Sequence, residues 1–161
     1  MVLQRFEEKT ALITGGGGMG RAVALRLLSE GGRVLVTDYS QDILARLKQE
    51  FDELGYSDRT RFLLSDVRIY RDCCVAVQEG VEWFGKIDIL VTTAGILRHH
   101  PIDLLTEKDW KDVVDVNLTG TYNSVKSVAG HMKDRRYGRI VLISSIGGRT
   151  GRPGVGVNYA A

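Results

Sequence analysis

The sequence predicts an α/β domain in which helices cover both faces of a doubly wound parallel sheet. Five short apolar runs alternate along the chain with segments whose apolar residues recur at helical spacing, and this alternation is typical of parallel sheets. Because the crossovers between parallel strands are right-handed, we expect the strand order 3-2-1-4-5. A chain of 161 residues has the length of one domain, which we assign to residues 1–161.

Each strand is expected where a short apolar run lies between turn or charged residues. In chain order these runs are residues 10–14, 33–37, 61–65, 87–92 and 139–144. The helices are expected over residues 21–30, 41–54, 70–84 and 107–135, the last with an interruption at Gly120. Ser40 precedes the second helix and Thr106 precedes the fourth, and both residue types are good helix N-caps.

A glycine cluster follows the first strand and opens the first helix. It comprises Gly15 to Gly18, and Gly20. Glycine lets the backbone turn tightly and approach a ligand closely, and the free N–H groups of a helix N-terminus face an anion. Strand, glycine turn and helix in this order are typical of the phosphate-binding corner of a dinucleotide-binding (Rossmann) fold. A plain tight turn is the alternative, whereas a nucleotide-hydrolase phosphate loop would need Lys-Ser or Lys-Thr after the glycines.

An acidic residue, Asp38, ends the second strand, 18 residues beyond Gly20. A carboxylate about 20 residues after the glycine turn binds the ribose 2′-hydroxyl in dinucleotide folds. An ordinary turn residue at a strand end is the alternative, but the upstream glycines favour the ribose role.

Small or polar residues also follow the later strands. They are Asp66, Ala94-Gly95 and Ser144-Ser145. Because the carboxyl ends of parallel strands meet at one edge of the sheet, we expect these residues to converge on one ligand site.

Composition limits the partners and the location of the protein. Hydrophobic residues make up 43% of the chain and charged residues 26%, which is ordinary for a soluble globular protein. A net charge of +2 is too small to predict nucleic-acid or membrane-surface binding. Neither a transmembrane run nor an apolar signal-peptide core is found, so we expect a cytoplasmic protein.

The cysteines and histidines lack the spacing of a metal-ligand cluster, so we predict no metal site. Cys73 and Cys74 are adjacent, which does not suit a mutual disulfide, and we interpret them as helix residues in a reducing compartment. His99, His100 and His131 are interpreted as solvated or loop residues. A place for His99 and His100 in a substrate pocket is the alternative.

Several segments, taken together, resemble the short-chain dehydrogenase/reductase family. They are residues 14–20, Asp66-Val67, Ala94-Gly95, Asn117 within 115–120, Ser144-Ser145, and Asn158-Tyr159-Ala160-Ala161. They lie in the family's order and cover essentially the whole chain. The similarity is greatest to the branch that contains 3-oxoacyl-carrier-protein reductases and sugar or polyol dehydrogenases.

This resemblance implies an oxidoreductase that interconverts a ketone or aldehyde and an alcohol. By position, Tyr159 would be the general acid/base, Ser145 would hydrogen-bond the substrate oxygen, and Asn117 would hold a water in a proton relay. It also implies a small-molecule carbonyl or alcohol substrate and a homo-oligomer, either a dimer or a tetramer.

The resemblance further implies a nicotinamide cofactor. The implied cofactor-binding residues are Gly15, Gly17, Gly18, Met19, Gly20, Asp38, Tyr39, Asp66, Val67, Thr93, Ala94 and Gly95. Asp66 would contact the adenine, and Ala94-Gly95 the ribose side of the cofactor. Asp38 would repel a 2′-phosphate, so NAD(H) is expected to be preferred over NADP(H).

The sequence departs from the family pattern at several places. Two residues, instead of the family's usual three, separate Gly15 from Gly18, and Thr92-Thr93 replaces the usual Asn-Asn. The family's tyrosine is followed four positions later by a lysine that lowers its pKa, but the sequence stops two residues after Tyr159. We therefore expect an incomplete family domain with an open sheet edge, which is part of a longer protein.

Two alternatives come from different functional classes. A nucleotide-binding module without catalytic activity would account for the absent lysine. A methyltransferase with a Rossmann fold would share the glycine turn and the acid after the second strand, but it would leave Asn117, Ser145 and Tyr159 unexplained.

Overall fold

The computed structural model, which describes residues 4–151 and 156–160, contains the predicted five-stranded sheet in the order β3-β2-β1-β4-β5. The strands are β1 (Thr10–Thr14), β2 (Arg33–Asp38), β3 (Thr60–Leu64), β4 (Ile89–Thr92) and β5 (Arg139–Leu142). Every neighbouring pair is parallel. Thr14 of β1 is in register with Thr37 of β2 and Thr92 of β4, so the carboxyl ends of the central strands lie side by side.

Helices follow the strands as the alternation predicts. They are α1 (Gly18–Ser29), α2 (Gln41–Glu53), α3 (Tyr70–Phe84), α4 (Glu107–Val114), α5 (Gly120–Asp134), and two single turns, α6 (Gly147–Thr150) and α7 (Val157–Ala160). A 3₁₀ turn at Ser57–Arg59 precedes β3, and a π-helical turn at Asp115–Thr119 joins α4 to α5. Both predicted N-caps are confirmed, because Ser40 Oγ accepts from the N–H of Ile43 at 3.4 Å and Thr106 Oγ1 from that of Asp109 at 3.1 Å.

Several predicted bounds shift by one to three residues, among them the start of β4 and the end of β5, and two differences in the helices have physical reasons. Helix α1 begins at Gly18, three residues earlier than predicted. The prediction excluded the glycines because they are poor helix formers, but in the structure they belong to the first turn. Gly120 does not interrupt the long helix, since the irregular π turn lies before it. A Cβ on Gly120 would lie 2.5 Å from Cγ2 of Val67, so this glycine allows α5 to approach the segment after β3.

The core is divided by the sheet into two layers. Ile13 faces α1 and α2, where Leu28 and Phe51 are fully buried. Leu12, its neighbour in β1, points to the opposite face and packs with Val128 of α5. This alternation with helices on both faces is what a doubly wound parallel sheet requires.

The strands are not equally covered. All five residues of β1 are buried, whereas the apolar residues of the edge strand β5 are 41–51% exposed. Strand β5 lies at one edge of the sheet that the described residues form. Within the two described ranges, no helix combines the length and the apolar character needed to cross a bilayer.

A polar cluster lies at the amino ends of β1 and β4. Asp88 accepts hydrogen bonds from the N–H of Thr10 at 3.1 Å and from Nη2 of Arg135 at 2.7 Å. His131 Nε2 accepts from the N–H of Ile87 at 3.1 Å, and burial together with Arg135 lowers its pKa. The prediction that His131 is a solvated or loop residue is wrong, because it lies on α5 and caps a main-chain donor.

The other cysteine and histidine predictions agree with the structure. His99 and His100 lie in the exposed loop after β4. Cys73 and Cys74 are free thiols on α3, and burial raises the pKa of Cys73 to about 11.

Candidate functional site

The turn after β1 depends on glycine at two positions. Gly15 has a φ of +93°, and a Cβ there would lie 2.6 Å from the main-chain N of Ala94. A Cβ on Gly20 would lie 1.8 Å from the carbonyl oxygen of Gly15. Glycine therefore lets the ends of β1 and β4 and the start of α1 meet closely.

The N-terminus of α1 is left open to a ligand. Its N-cap, Gly17, has no side chain to accept a hydrogen bond, and the first turn contains no acidic residue. A Cβ at Gly17 or Gly18 would meet no atom within 4 Å. Helices α2 and α4, in contrast, are capped by Ser40 and Thr106 and carry acids in their first turns. Free N–H groups that face open space at the positive end of a helix dipole suit an anion such as a pyrophosphate.

The carboxylate at the end of β2 stabilises this turn. Asp38 is 7% exposed, and its Oδ2 accepts from the N–H of Gly16 at 2.7 Å while its Oδ1 accepts from that of Ser40 at 2.9 Å. Each carboxylate oxygen has a further lone pair, so Asp38 can still accept a hydrogen bond from a sugar hydroxyl.

A cavity of about 350 Å³ lies at the carboxyl ends of the strands. Nine of the twelve predicted cofactor residues line it: Gly15, Gly17, Asp38, Tyr39, Asp66, Val67, Thr93, Ala94 and Gly95. Gly18, Met19 and Gly20 lie beside it in the first turn of α1. The cavity is also lined by three charged residues that were not predicted, Arg68, Arg98 and Asp112. Only Arg68 lies within two residues of a predicted strand-end residue, Asp66, so it is the only one of the three that its position in the sequence could have indicated.

The side chain of Asp66 is engaged by a neighbour. Nε of Arg68 donates to its carboxylate at 2.9 Å, and this hydrogen bond holds the pKa of Asp66 below its usual value against the opposing effect of burial. The predicted contact between Asp66 and an adenine therefore stays a prediction, and the cavity wall here is a neutralised ion pair.

Asn117 lies in the π-helical turn and holds the segment after β4. Its Nδ2 donates to the carbonyl oxygen of Ile96 at 3.0 Å, and its Oδ1 accepts from the N–H of Ile96 at 2.9 Å. π-Helical turns are frequent at functional sites. Because both ends of the amide are used on one backbone unit that lines the cavity, Asn117 positions that wall.

Ser145 and Tyr159 come together around Gly147. A Cβ on Gly147 would lie 3.4 Å from Ser145 Oγ and 3.3 Å from Cδ1 of the Tyr159 ring. The N–H of Gly147 also donates to Ser145 Oγ at 3.1 Å. Two half-buried side chains that are fourteen residues apart in the sequence therefore both border one glycine.

The turn that carries Tyr159 is anchored next to the cavity. Nδ2 of the buried Asn158 donates to the carbonyl oxygen of Asp109 on α4 at 3.1 Å. A Cβ on Gly156 would lie 2.5 Å from the carbonyl oxygen of Arg98, a residue of the cavity wall. The segment that carries Tyr159 thus contacts Arg98 of the cavity wall, whereas Ser145, Tyr159 and Asn117 do not themselves line the described cavity.

In the part of the chain that the structure describes, no three His, Cys, Asp or Glu side chains are grouped as metal ligands. The polar groups around the cavity are instead hydroxyls, the carboxylates of Asp38, Asp66 and Asp112, and main-chain N–H groups.

Comparison with known proteins agrees with this geometry. The profile of the family described as short chain dehydrogenase matches residues 9–161. A 3-oxoacyl-[acyl-carrier-protein] reductase of Thermotoga maritima is 37% identical over 159 residues, which are 98% of this chain and 63% of that protein. An acetoacetyl-CoA reductase of an Acinetobacter species is 33% identical over 157 residues, which are 96% of this chain and 62% of that protein.

Solved structures agree as well. A 3-oxoacyl-[acyl-carrier protein] reductase from Brucella melitensis with bound NAD matches with a TM-score of 0.89 and 32% identity, covering 99% of this chain and 62% of that one. The chain thus spans 62–63% of the length of these relatives. Its sheet order, its glycine turn and the match over nearly its whole length show that the chain belongs to the short-chain dehydrogenase/reductase family.

Proposed function

We propose that the protein containing this chain is a nicotinamide-dependent oxidoreductase that interconverts a ketone or aldehyde and an alcohol. The observation that carries the proposal is that Ser145 and Tyr159 both border Gly147, in the part of the chain that leaves β5 at the sheet edge that also holds the open glycine turn. The relatives from Thermotoga maritima and Acinetobacter, a 3-oxoacyl-[acyl-carrier-protein] reductase and an acetoacetyl-CoA reductase, support it.

The residues at this edge fit a dinucleotide. The free N–H groups at the start of α1 would bind the pyrophosphate, and Asp38 would accept from a ribose hydroxyl. Ala94 and Gly95, which line the cavity, would contact the ribose side of the cofactor. The bound nicotinamide would supply or accept the hydride. Because Asp38 is an anion inside the cavity, it would repel a 2′-phosphate, and NAD(H) would be preferred over NADP(H).

Ser145 and Tyr159 would act on the substrate oxygen. Ser145 Oγ accepts from the N–H of Gly147, so its own proton remains available to donate to a carbonyl oxygen. Tyr159 would donate the proton that turns the oxygen into a hydroxyl. A nearby cation would be needed to make this tyrosine an effective base in the reverse direction.

Asn117 would affect the reaction indirectly. Its amide is bound to Ile96 on both sides, so we propose that it fixes the cavity wall, and the water relay stays a prediction. The small-molecule substrate and the homo-oligomeric state likewise remain predictions from the family, and the cytoplasmic location remains a prediction from the sequence.

The test compares the purified protein with its Tyr159→Phe variant. We expect NADH to bind both with similar affinity, and turnover of a panel of ketones and aldehydes to fall 10²-fold or more, as for the loss of a general acid. Tyr122→Phe, a change on the exposed face of α5, is the matched control and should retain turnover. Unchanged turnover in Tyr159→Phe would reject the acid/base role. NADH binding without turnover in the unmodified protein would favour the nucleotide-binding module.

A further inference from the structure

An ion pair joins the two helices that flank the Asp38 end of the cavity. Arg21, in α1, donates from Nε to Oε2 of Glu50 on α2 at 2.7 Å, and its Nη2 donates to the other carboxylate oxygen. The hydrogen bond from Arg21 is the main reason why the pKa of Glu50 lies below its usual value. The guanidinium is therefore held by a two-pronged contact that matches carboxylate and phosphate oxygens equally well.

Neither side chain of this pair lines the cavity, but the main chain of Arg21 is bonded to a residue that does. The main-chain N–H of Arg21 donates to the carbonyl oxygen of Gly17 at 2.8 Å, and Gly17 lines the cavity. Helix α2 contributes Ile43 to the same wall, and a Cβ on Gly16 would lie 3.0 Å from Cγ2 of Ile43. Arg21 thus follows the glycine turn closely in the chain. Within that turn, the N–H of Gly16 donates to Asp38.

The two arginines that do line the cavity are also paired. Arg68 is bound by Asp66, and Nε of Arg98 lies 4.0 Å from Oδ1 of Asp109. Among the described residues around the cavity, each arginine thus has a carboxylate partner. A nucleotide with only a pyrophosphate needs none of them, because the start of α1 supplies N–H donors. A nucleotide with an additional 2′-phosphate would need a cation that is free to turn toward it.

We propose that Glu50 is a second determinant of cofactor choice, which acts by holding Arg21 away from an adenosine 2′-phosphate. This inference rests on the proposed binding of a nicotinamide cofactor. Asp38 lies inside the cavity and acts directly on the ribose, so it is the stronger determinant. Glu50 acts through Arg21, and its effect becomes measurable once the Asp38 charge has been removed.

The proposal is tested in an Asp38→Asn background. Asparagine removes the repelling charge but keeps an oxygen acceptor for one of the two N–H donors, Gly16 or Ser40, whereas alanine would release both. In this background, the dissociation constants of NADH and NADPH are measured by isothermal titration calorimetry with Glu50→Gln, with Arg21→Leu and with both changes together.

We expect Glu50→Gln to tighten NADPH binding about three- to fivefold, the range that a partly exposed ion pair supports, and to leave NADH binding unchanged. The gain should disappear when Arg21→Leu is also present. Glu53→Gln is the matched control, since it removes the same charge about one turn later on α2. There, Glu53 accepts a hydrogen bond from the neutral side chain of Gln49. It should leave both constants unchanged.

Three results would overturn the proposal: no gain from Glu50→Gln, the same gain without Arg21, or the same gain from Glu53→Gln. The last two would show a general effect of negative charge. If the unmodified protein binds neither NADH nor NADPH, the proposed function fails and this inference fails with it. If NADH binds but the NADPH constants do not respond, the inference alone fails.

Discussion

The buried acids at the two ends of the sheet have different kinds of partner. At the amino end, Asp88 is 1% exposed and is paired with the cations of Arg135 and Lys86. At the carboxyl end, Asp38 is almost as buried but receives hydrogen bonds from two main-chain N–H groups and, within the described chain, has no cation in an ion pair. Loss of the acid that is paired with cations, Asp88, leaves buried charges unpaired and costs stability. The acid without a cation, Asp38, is available to a ligand.

The helix termini show the same difference. Glu30, the C-cap of α1 at the amino end of the sheet, is bound by Arg5 and Arg26. The other end of α1, which begins after Gly17, has neither a side-chain cap nor an acidic residue in its first turn. One helix thus has a satisfied end and an unsatisfied end, and the unsatisfied one opens toward the cavity. Changes at the amino end should therefore cost stability, and changes at the carboxyl end should also cost ligand binding.

The largest loss of stability is expected for Asp88→Asn. Burial by itself would raise the pKa of Asp88, but Arg135, the N–H of Thr10 and Lys86 hold it below its usual value. Removing this charge leaves two cations without their partner, and we expect a loss of roughly 3 kcal/mol in the free energy of unfolding, the lower limit for a broken buried pair. Urea denaturation at pH 7 measures it.

Asp134→Asn changes an exposed acid on the same helix as Arg135 and is the control, with an expected effect within about 0.5 kcal/mol. Folded Asp88→Asn should bind NADH as tightly as the unmodified protein. Weakened binding in the folded variant would contradict the division of roles between the two ends.

Gly20→Ala should have the next largest effect and should affect both properties. A Cβ there would lie 1.8 Å from the Gly15 carbonyl oxygen, so the glycine turn must shift, at a cost of roughly 1–3 kcal/mol. The same shift displaces the N–H groups at the start of α1, and we expect NADH affinity to fall at least about tenfold. Thermal unfolding and fluorescence titration measure the two losses.

Gly18→Ala is the matched control, because a Cβ at Gly18 meets no atom within 4 Å. We expect it to leave stability unchanged or to raise it by up to about 1 kcal/mol, since alanine favours a helix over glycine. Equal destabilisation by both alanines would show that crowding at Gly20 is not the cause.

The smallest effect is expected from Glu30 and depends on pH. Hydrogen bonds from Arg5, reinforced by Arg26 and opposed by burial, lower its pKa from 4.5 to about 2. A carboxyl with a lowered folded-state pKa contributes stability that is fully present above its unfolded value and is lost as pH falls through the folded value. The unfolding free energies of the unmodified protein and Glu30→Gln should differ by a constant amount above about pH 5 and converge between pH 4.5 and 2.

Glu82→Gln, a change of an exposed acid on α3, should follow the unmodified protein at every pH. A difference for Glu30→Gln that stays constant down to pH 2 would show that its ion pairs do not contribute as described.

The local rules of the sequence were sufficient for much of the architecture. Alternating apolar runs predicted five strands and their order, and α3 has the predicted bounds of Tyr70–Phe84. Ser40 and Thr106 were identified as caps because capping depends on residues within one turn. The glycine turn and Asp38 were found for the same reason, since their spacing along the chain already places them at neighbouring strand ends.

The features that the sequence did not predict all depend on partners distant in the chain. His131 became an acceptor because Ile87, 44 residues away, directs its N–H at the imidazole. Gly120 appeared to be a helix breaker, but its role is set by the contact with Val67. Arg98 entered the cavity wall through the path of the loop after β4, which no periodicity describes.

The sequence by itself therefore determined the layers of this protein and the edge of the sheet at which a ligand would bind. Hydrophobic period, capping chemistry and glycine spacing act over one turn or one strand, so they can be read along the chain. Only the tertiary structure decided which charges are compensated. It paired Asp88 with Arg135 and Arg21 with Glu50, and it left Asp38 with main-chain donors. Charge pairing depends on distances of a few ångströms between elements that are remote in sequence, and the packing of the sheet and helices sets those distances.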